Sequence, residues 1–186
     1  MRDQQNISIQ FNLSNLAGIR SNLYTLVSAI YADPNSAKFK MLYDENFQEH
    51  VMSTLQSYAL KTVFESTCLE DAAKKTFFLL KNNKKNITDE YVNTFGHTLS
   101  KQTAPYELEH LKNEDIFFRT QCLADLNGFY RAFGLEIDQK ERTDHISVQA
   151  EFLAYLFFKE FMAIENNLGN EKIEICRKAQ LDFWNQ

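Results

Sequence analysis

The chain has 186 residues, of which 44% are hydrophobic and 13% aromatic, enough for the core of one domain and too many for a disordered chain. Its formal net charge of −5 argues against nucleic acid as a partner and weakly favours a cationic one. Three widely spaced cysteines without a C-x-x-C motif indicate neither a zinc site nor a disulfide framework. The polar N-terminus has no apolar signal-peptide core, and no apolar run could span a bilayer, so we expect a cytoplasmic protein without stable membrane insertion.

Apolar residues recur near the 3.6-residue period of an α-helix along most of the chain. The period predicts, in chain order, helices over residues 13–31, 36–43 (a short helix or turn), 45–64, 68–81, 88–95, 114–133, 145–167 and 170–184. The middle of 145–167 is apolar over most of its circumference, which predicts a central, buried helix. With no repeat and no linker, the sequence predicts an all-α bundle forming one domain over residues 1–186.

The connection between the sixth and seventh of these helices carries the polar residues that most need an explanation. Gly134 is expected to end the preceding helix with a positive φ, while Leu135 packs back onto it. Asp144 is well placed to cap the next helix through its carboxylate. Glu141, Asp144 and His145 are predicted to form a polar cluster that faces outward.

Two ordered blocks of the sequence resemble a known family. Residues 141–145 (ERTDH) followed by 151–154 (EFLA) are similar to the E-x-P-D-H…E-F-[LM] signature of the TorD/DmsD/NarJ group of chaperones, which mature molybdenum-cofactor oxidoreductases. Residues 90–98 (EYVNTFGHT) and 105–110 (PYELEH) are similar to the second block of that family. Thr143 departs from the pattern, because the family usually has proline there, and the absence of that restriction predicts a looser loop.

The resemblance implies a helical bundle of the TorD-like type and a maturation chaperone rather than an enzyme, with no cofactor and no metal of its own. It implies as partner an apo molybdoenzyme catalytic subunit or its twin-arginine leader peptide, which has a basic end and an apolar stretch. Carboxylates can hold arginine bidentately, and a groove between helices can take an amphipathic segment. The client-binding residues expected on this basis are Glu141, Asp144, His145, Tyr106, Glu107, Phe95, Tyr130 and Glu151.

Some of these residues could have a structural role instead of binding a client. Asp144 could serve only as a helix cap, and the aromatic residues Tyr106, Tyr130, Tyr91 and Phe95 could belong to the core. Two functional alternatives also stay open. One is a generic helical adaptor that uses the same acidic loop for another protein. The other is a small acid–base enzyme built on the Glu141, Asp144 and His145 cluster, which would need a closed pocket converging on the histidine.

Two further expectations concern other parts of the chain. Many relatives continue beyond the position where this sequence ends, so we expect either a short member of the family or a bundle of which one part is missing or supplied by another chain. The apolar residues of 170–184 then predict self-association as a homodimer, by exchange of terminal helices. The loop 135–143 and the first turn after it are expected to form part of the client site. The irregular segment 96–105 is expected to border the client groove and to become ordered when the client binds.

Overall fold

A computed structural model of the protein describes residues 2–57, 67–96, 103–112, 115–136 and 141–185. Within these ranges the chain forms eight α-helices and two 3-10 helices, which confirms the predicted all-α bundle. The elements are α1 (Arg2–Ile30), α2 (Ala37–Lys40), a first 3-10 helix (Met41–Tyr43), α3 (Glu45–Gln56), α4 (Thr67–Asn82), α5 (Ile87–Phe95), a second 3-10 helix (Glu107–Glu109), α6 (Ile116–Ala132), α7 (Ile146–Glu165) and α8 (Asn170–Trp184).

Side-chain caps fix where several helices begin. The carboxylates of Asp44 and Asp115 and the hydroxyl of Ser36 each accept an N–H from the first turn of the helix that follows. Helix α1 begins at Arg2, well before the predicted position 13. Its first residues were not predicted as helix because Ile7, Ile9 and Phe11 recur at every second position rather than at the helical period. Of the segment predicted as a helix over 45–64, residues 58–64 lie outside the described part of the chain.

Helix α7 is the central helix of the bundle, as its apolar circumference predicted. Ten of its residues are buried, and its most extensive packing is against α1. Small polar side chains allow the two backbones to approach each other. The Ser21 hydroxyl donates to the Ala154 carbonyl at 2.9 Å, and the hydroxyls of Ser28 and Ser147 each donate to the other residue's carbonyl at 2.7 and 2.8 Å. These bonds satisfy the buried hydroxyls and fix the register of α1 on α7.

Two clusters of buried apolar side chains pack the remaining helices onto this helix pair. One joins α1 to α2, α3 and α4, with the buried members Ile19, Ala29, Ala32, Phe39, Leu42, Val51, Leu55, Ala73, Phe77 and Leu80. The other joins α6, α7 and α8, with the buried members Leu126, Tyr130, Phe152, Leu153, Leu156, Phe157, Ala179 and Phe183.

Helix α8 has one covered face and one exposed face. Its buried residues are Cys176, Ala179 and Phe183, so one apolar face of this helix is covered within the chain itself. The buried Glu160 of α7 strengthens this packing, because it accepts hydrogen bonds from Arg177 and Gln180 of α8. The exposed apolar residues are Ile175, Leu181 and Trp184. Self-association through that exposed face stays a prediction.

No helix in the described part of the chain combines the length and the hydropathy that a bilayer span requires. Among the same residues, no three His, Cys, Asp or Glu side chains are grouped in a way that could hold a metal ion.

Candidate functional site

Helix α6 ends as its sequence predicted. Gly134 has a φ of 72°, a conformation that glycine adopts without strain. Its N–H donates to the carbonyl of Arg131 at 2.9 Å, and the N–H of Leu135 donates to that of Tyr130 at 2.9 Å. This pair of bonds is the Schellman motif, and Leu135 packs against the second core cluster. The turn sends the chain back over the start of α7.

The cap of α7 differs from the prediction. His145, not Asp144, occupies the N-cap position, and its Nδ1 accepts the N–H of Ser147 at 3.1 Å. The predicted outward-facing cluster is also wrong, because Asp144 is 0% exposed and His145 only 3%. Of the three residues in that cluster, only Glu141 is exposed. The chain turns one residue later than a carboxylate cap would require, and this places Asp144 inside the protein.

Asp144 is the centre of a polar network instead. Its two carboxylate oxygens accept hydrogen bonds from the Arg142 guanidinium at 2.8 and 3.0 Å, and one of them also accepts the N–H of Leu108 at 3.2 Å. Arg142 also binds Glu109 at 3.1 Å and lies 4.3 Å from the centre of the Tyr106 ring. Burial lowers the pKa of Arg142, but its hydrogen bonds with Asp144 and Glu109 outweigh that effect and raise it. We call these five residues the Asp144 network.

The network joins the two sequence blocks that resemble the chaperone family. Tyr106 and His145 form an isolated antiparallel bridge, and the Glu107 N–H donates to the Asp144 carbonyl at 3.0 Å. The ring of His145 meets that of Tyr106 edge to face at 5.2 Å. Burial lowers the pKa of His145, and Lys38 and Arg142 add to this effect while Asp144 opposes it. A neutral imidazole suits the Nδ1 acceptor role that the helix cap requires.

Aromatic side chains of α5 lie beside this loop. The Tyr91 hydroxyl donates to the Tyr31 carbonyl at 3.2 Å, and the Phe95 ring contacts the rings of both tyrosines. Burial raises the pKa of Tyr91 to about 12, and the carboxylates of Glu141 and Asp33 contribute to the increase. The carboxylates of Glu141 and Asp33 also line the cavity described next.

A groove with a volume of about 880 Å³ opens between the end of α1, α2 and the start of α7. We call it the acidic groove. Its floor is apolar and includes Tyr130, Val148, Phe152 and Tyr155. The described residues that line it are Ala32, Asp33, Asn35, Ser36, Lys38, Tyr130, Leu135, Glu136, Glu141, Ser147, Val148, Glu151, Phe152 and Tyr155.

The charge of the groove is strongly asymmetric. Four carboxylates, those of Asp33, Glu136, Glu141 and Glu151, lie among its described lining residues, against the one ammonium group of Lys38. The Lys38 Nζ is 2.5 Å from the Glu151 carboxylate. An apolar floor with an acidic rim can accept a segment that combines apolar side chains with arginines.

The model of one protein family, described as the nitrate reductase delta subunit, matches residues 44–186. The chain belongs to that family. This confirms the resemblance seen in the sequence, because the family is one of chaperones for the maturation of redox enzymes. Searches among curated proteins and among solved structures found no significant match. Within the groove, Asp33 and Lys38 precede the matched residues, whereas the α6 and α7 walls lie inside them.

The structure divides the client-binding residues predicted for this member of the nitrate reductase delta subunit family into two groups. Tyr130, Glu141 and Glu151 line the acidic groove. The others are placed around it. Asp144 and His145 are buried, Tyr106 belongs to the Asp144 network, exposed Glu107 binds Gln149, and Phe95 lines a second cavity of about 190 Å³ beneath α5.

Among the charged residues of the groove, sequence reasoning missed Asp33 and Lys38. Both lie between or within short predicted elements, away from the two sequence blocks that resemble the family. Glu136, by contrast, belongs to the loop 135–143, which was predicted to form part of the client site. Of the loop 135–143 and the segment 96–105, residues 137–140 and 97–102 lie outside the described part of the chain, so their expected role at the groove stays a prediction.

Proposed function

We propose that this protein is a cytoplasmic chaperone that binds the twin-arginine leader of an apo molybdenum-cofactor oxidoreductase in the acidic groove. It would hold the catalytic subunit until the cofactor is inserted and make or break no bond itself. Family membership supports the class of function. The observation that carries the choice of ligand is the groove itself, with four carboxylates beside an apolar floor.

The groove suggests how the two parts of such a leader would be distributed. The leader arginines would lie along the rim formed by Glu136 and Glu141, because carboxylates bind guanidinium groups bidentately. The apolar stretch would cover Val148 and Tyr155, two partly exposed apolar residues of the floor. Burial of apolar surface would supply most of the affinity, while the charges would select basic leaders and speed their association.

The Asp144 network has an indirect part in this proposal. Asp144 itself has no exposed surface, so an arginine of the client could not reach it without a rearrangement. Its bonds to Arg142 and Leu108 hold the loop and the Pro105–His110 block against each other. In this way the network would position Glu141 and Tyr106 beside the groove.

The test is calorimetry with a synthetic twin-arginine leader peptide. The double variant Glu136→Gln and Glu141→Gln should weaken binding roughly tenfold, because each exposed ion pair contributes up to about 1 kcal/mol. A matched control, Glu171→Gln with Asp182→Asn, removes the same charge from exposed positions on α8. The control should leave the affinity within about twofold of the wild type, apart from the small effect of net charge on association.

Two results would contradict the proposal. One is a wild-type protein that does not bind the leader peptide at micromolar concentration. The other is an equal loss of affinity in the groove variant and in the α8 control, which would assign the effect to net charge rather than to the groove. A peptide in which both arginines are replaced by lysines should bind more weakly, because the ammonium group cannot form the bidentate pair.

A further inference from the structure

Lys38 is the one feature of the acidic groove that opposes a basic ligand. It is the single basic side chain among the described residues that line the groove. Its Nζ is 2.5 Å from a carboxylate oxygen of Glu151 and 3.4 Å from the hydroxyl of Ser147. The lysine therefore already holds one of the two Glu151 oxygens that a bidentate ligand cation would need.

The backbone around Lys38 is held in place by its neighbours. The hydroxyl of Ser36 accepts the N–H of Phe39 at 3.1 Å and caps α2. Phe39 is 3% exposed and belongs to the first core cluster. Because Ser36 and Phe39 are held in this way, the backbone position from which the Lys38 side chain extends is fixed. The contact spans the groove from α2 to α7.

We propose that Lys38 is a specificity-determining residue, an internal cation that a client must displace from Glu151. The inference rests on the proposed function. A client cation has to break the Lys38–Glu151 pair and then tolerate a like charge nearby. A guanidinium can compensate for this with a bidentate bond to Glu151, whereas an ammonium would only replace one point charge by another. Lys38 would thus reject weakly basic or lysine-containing segments and admit those with arginine.

The mechanism makes a quantitative prediction about two ligands rather than one. Removing the lysine should tighten binding of both the di-arginine and the di-lysine leader peptide, and the di-lysine peptide should gain more. Exposed ion pairs of this kind correspond to a change of up to about fivefold in affinity. The ratio of the two affinities, which measures discrimination, should therefore fall.

The experiment compares Lys38→Met with Lys40→Met in calorimetry against both peptides at low ionic strength. Lys40 is an exposed lysine on the same short helix, outside the groove lining, so the control makes the same change in net charge. We expect about fivefold tighter binding of the di-lysine peptide to the Lys38→Met variant and a smaller gain in affinity for the di-arginine peptide. The control Lys40→Met should change the affinities of the two peptides by the same factor. Lys38→Arg should keep the wild-type discrimination.

The outcomes separate this inference from the proposed function. If the wild type binds the di-arginine peptide but the Lys38→Met and Lys40→Met variants behave alike, Lys38 has no such role although the groove does. Weaker binding of both peptides by Lys38→Met would show that the lysine contacts the client, and would also overturn the inference. If the wild type binds neither peptide, the proposed function itself fails. Thermal unfolding of each variant shows whether the fold is intact, and Lys38→Gln is a second variant should the methionine disturb it.

Discussion

The Asp144 network and the acidic groove both carry negative charge and lie next to each other, yet the two regions are built in opposite ways. In the network a carboxylate with no exposed surface has its charge matched by Arg142 and a backbone N–H. In the groove the carboxylates lie on a rim, and the side chain of Glu151 is 61% exposed. The comparison indicates that Asp144 and Arg142 maintain the shape of the site, while the exposed carboxylates of the rim would contact the client.

The largest effect is expected from a substitution that breaks the Asp144 network. Asp144→Ala leaves Arg142 and the N–H of Leu108 without their partner, and loss of one member of a buried ion pair typically costs about 3 kcal/mol. We expect the free energy of unfolding, measured by urea denaturation, to fall by about that amount. The leader affinity of the fraction that stays folded should fall as well, because the loop loses its anchor.

Glu151→Ala is the matched change in the groove. It removes a carboxylate from an exposed ion pair, so the free energy of unfolding should change by less than about 1 kcal/mol. If Asp144→Ala proved as mild as Glu151→Ala, the distinction between a structural network and a functional rim would be lost. If Glu151→Ala proved as damaging as Asp144→Ala, the groove would have a larger structural role than its exposure suggests.

Most of the fold followed from local signals in the sequence. The apolar period located the helices, and their bounds agree closely with the prediction for α4, α5 and α8. The stop at Gly134 was predictable because glycine adopts a positive φ without strain and an apolar residue follows it. The cap of α7 was missed by one position, since both Asp144 and His145 can accept an N–H and only the tertiary fold decides between them.

The site was less predictable, because it depends on contacts between distant parts of the chain. Glu141, Glu151 and Tyr130 were found through one short stretch of sequence and its flanking helices. Lys38 lies 113 positions from its partner Glu151, and no local pattern specifies that contact. Burial of Asp144 could not be foreseen for the same reason, because it depends on the approach of the Glu107–Glu109 turn. A loop of polar residues is predicted to be exposed unless the segments that pack against it are known.

Tyr130 belongs to both regions, so a substitution there tests which of its contacts serves stability and which serves binding. Its ring lines the groove, while its hydroxyl donates to the Thr143 carbonyl at 2.9 Å. Burial raises the pKa of this hydroxyl, with Glu107 and Asp144 adding to the increase, so it stays a neutral donor. Tyr130→Phe should lower the free energy of unfolding by about 1 kcal/mol in urea denaturation, because a buried carbonyl loses its partner.

The same variant keeps the aromatic surface of the groove, so the affinity for the leader peptide should not change measurably in calorimetry. Tyr155→Phe is the control, because it removes the same atom from a partly buried tyrosine of the groove. Its stability should differ less from that of the wild type. A loss of leader affinity in Tyr130→Phe with unchanged stability would instead place the hydroxyl in contact with the client.

The smallest expected effect is a dependence of stability on pH that arises from His145. Burial, together with the charges of Lys38 and Arg142, holds the pKa of this imidazole below its usual value of 6.5, although Asp144 opposes the shift. Below pH 6.5 the unfolded chain therefore takes up a proton that the folded protein resists. Stability should fall as the pH drops from 6.5 to the lowered pKa of the folded state, and should change no further below it on account of this group.

The variant His145→Asn isolates that effect, because asparagine is a good N-cap residue and does not titrate. Urea denaturation at pH 7 and at pH 5.5 should show a larger loss of stability for the wild type than for the variant. The other three histidines, His50, His97 and His110, are unchanged in both proteins, so they cancel in the comparison. An equal loss in the two proteins would mean that the imidazole can be protonated without breaking its bond to the Ser147 N–H. That bond needs a lone pair on Nδ1, so this outcome would also reopen the assignment of His145 as the cap of α7.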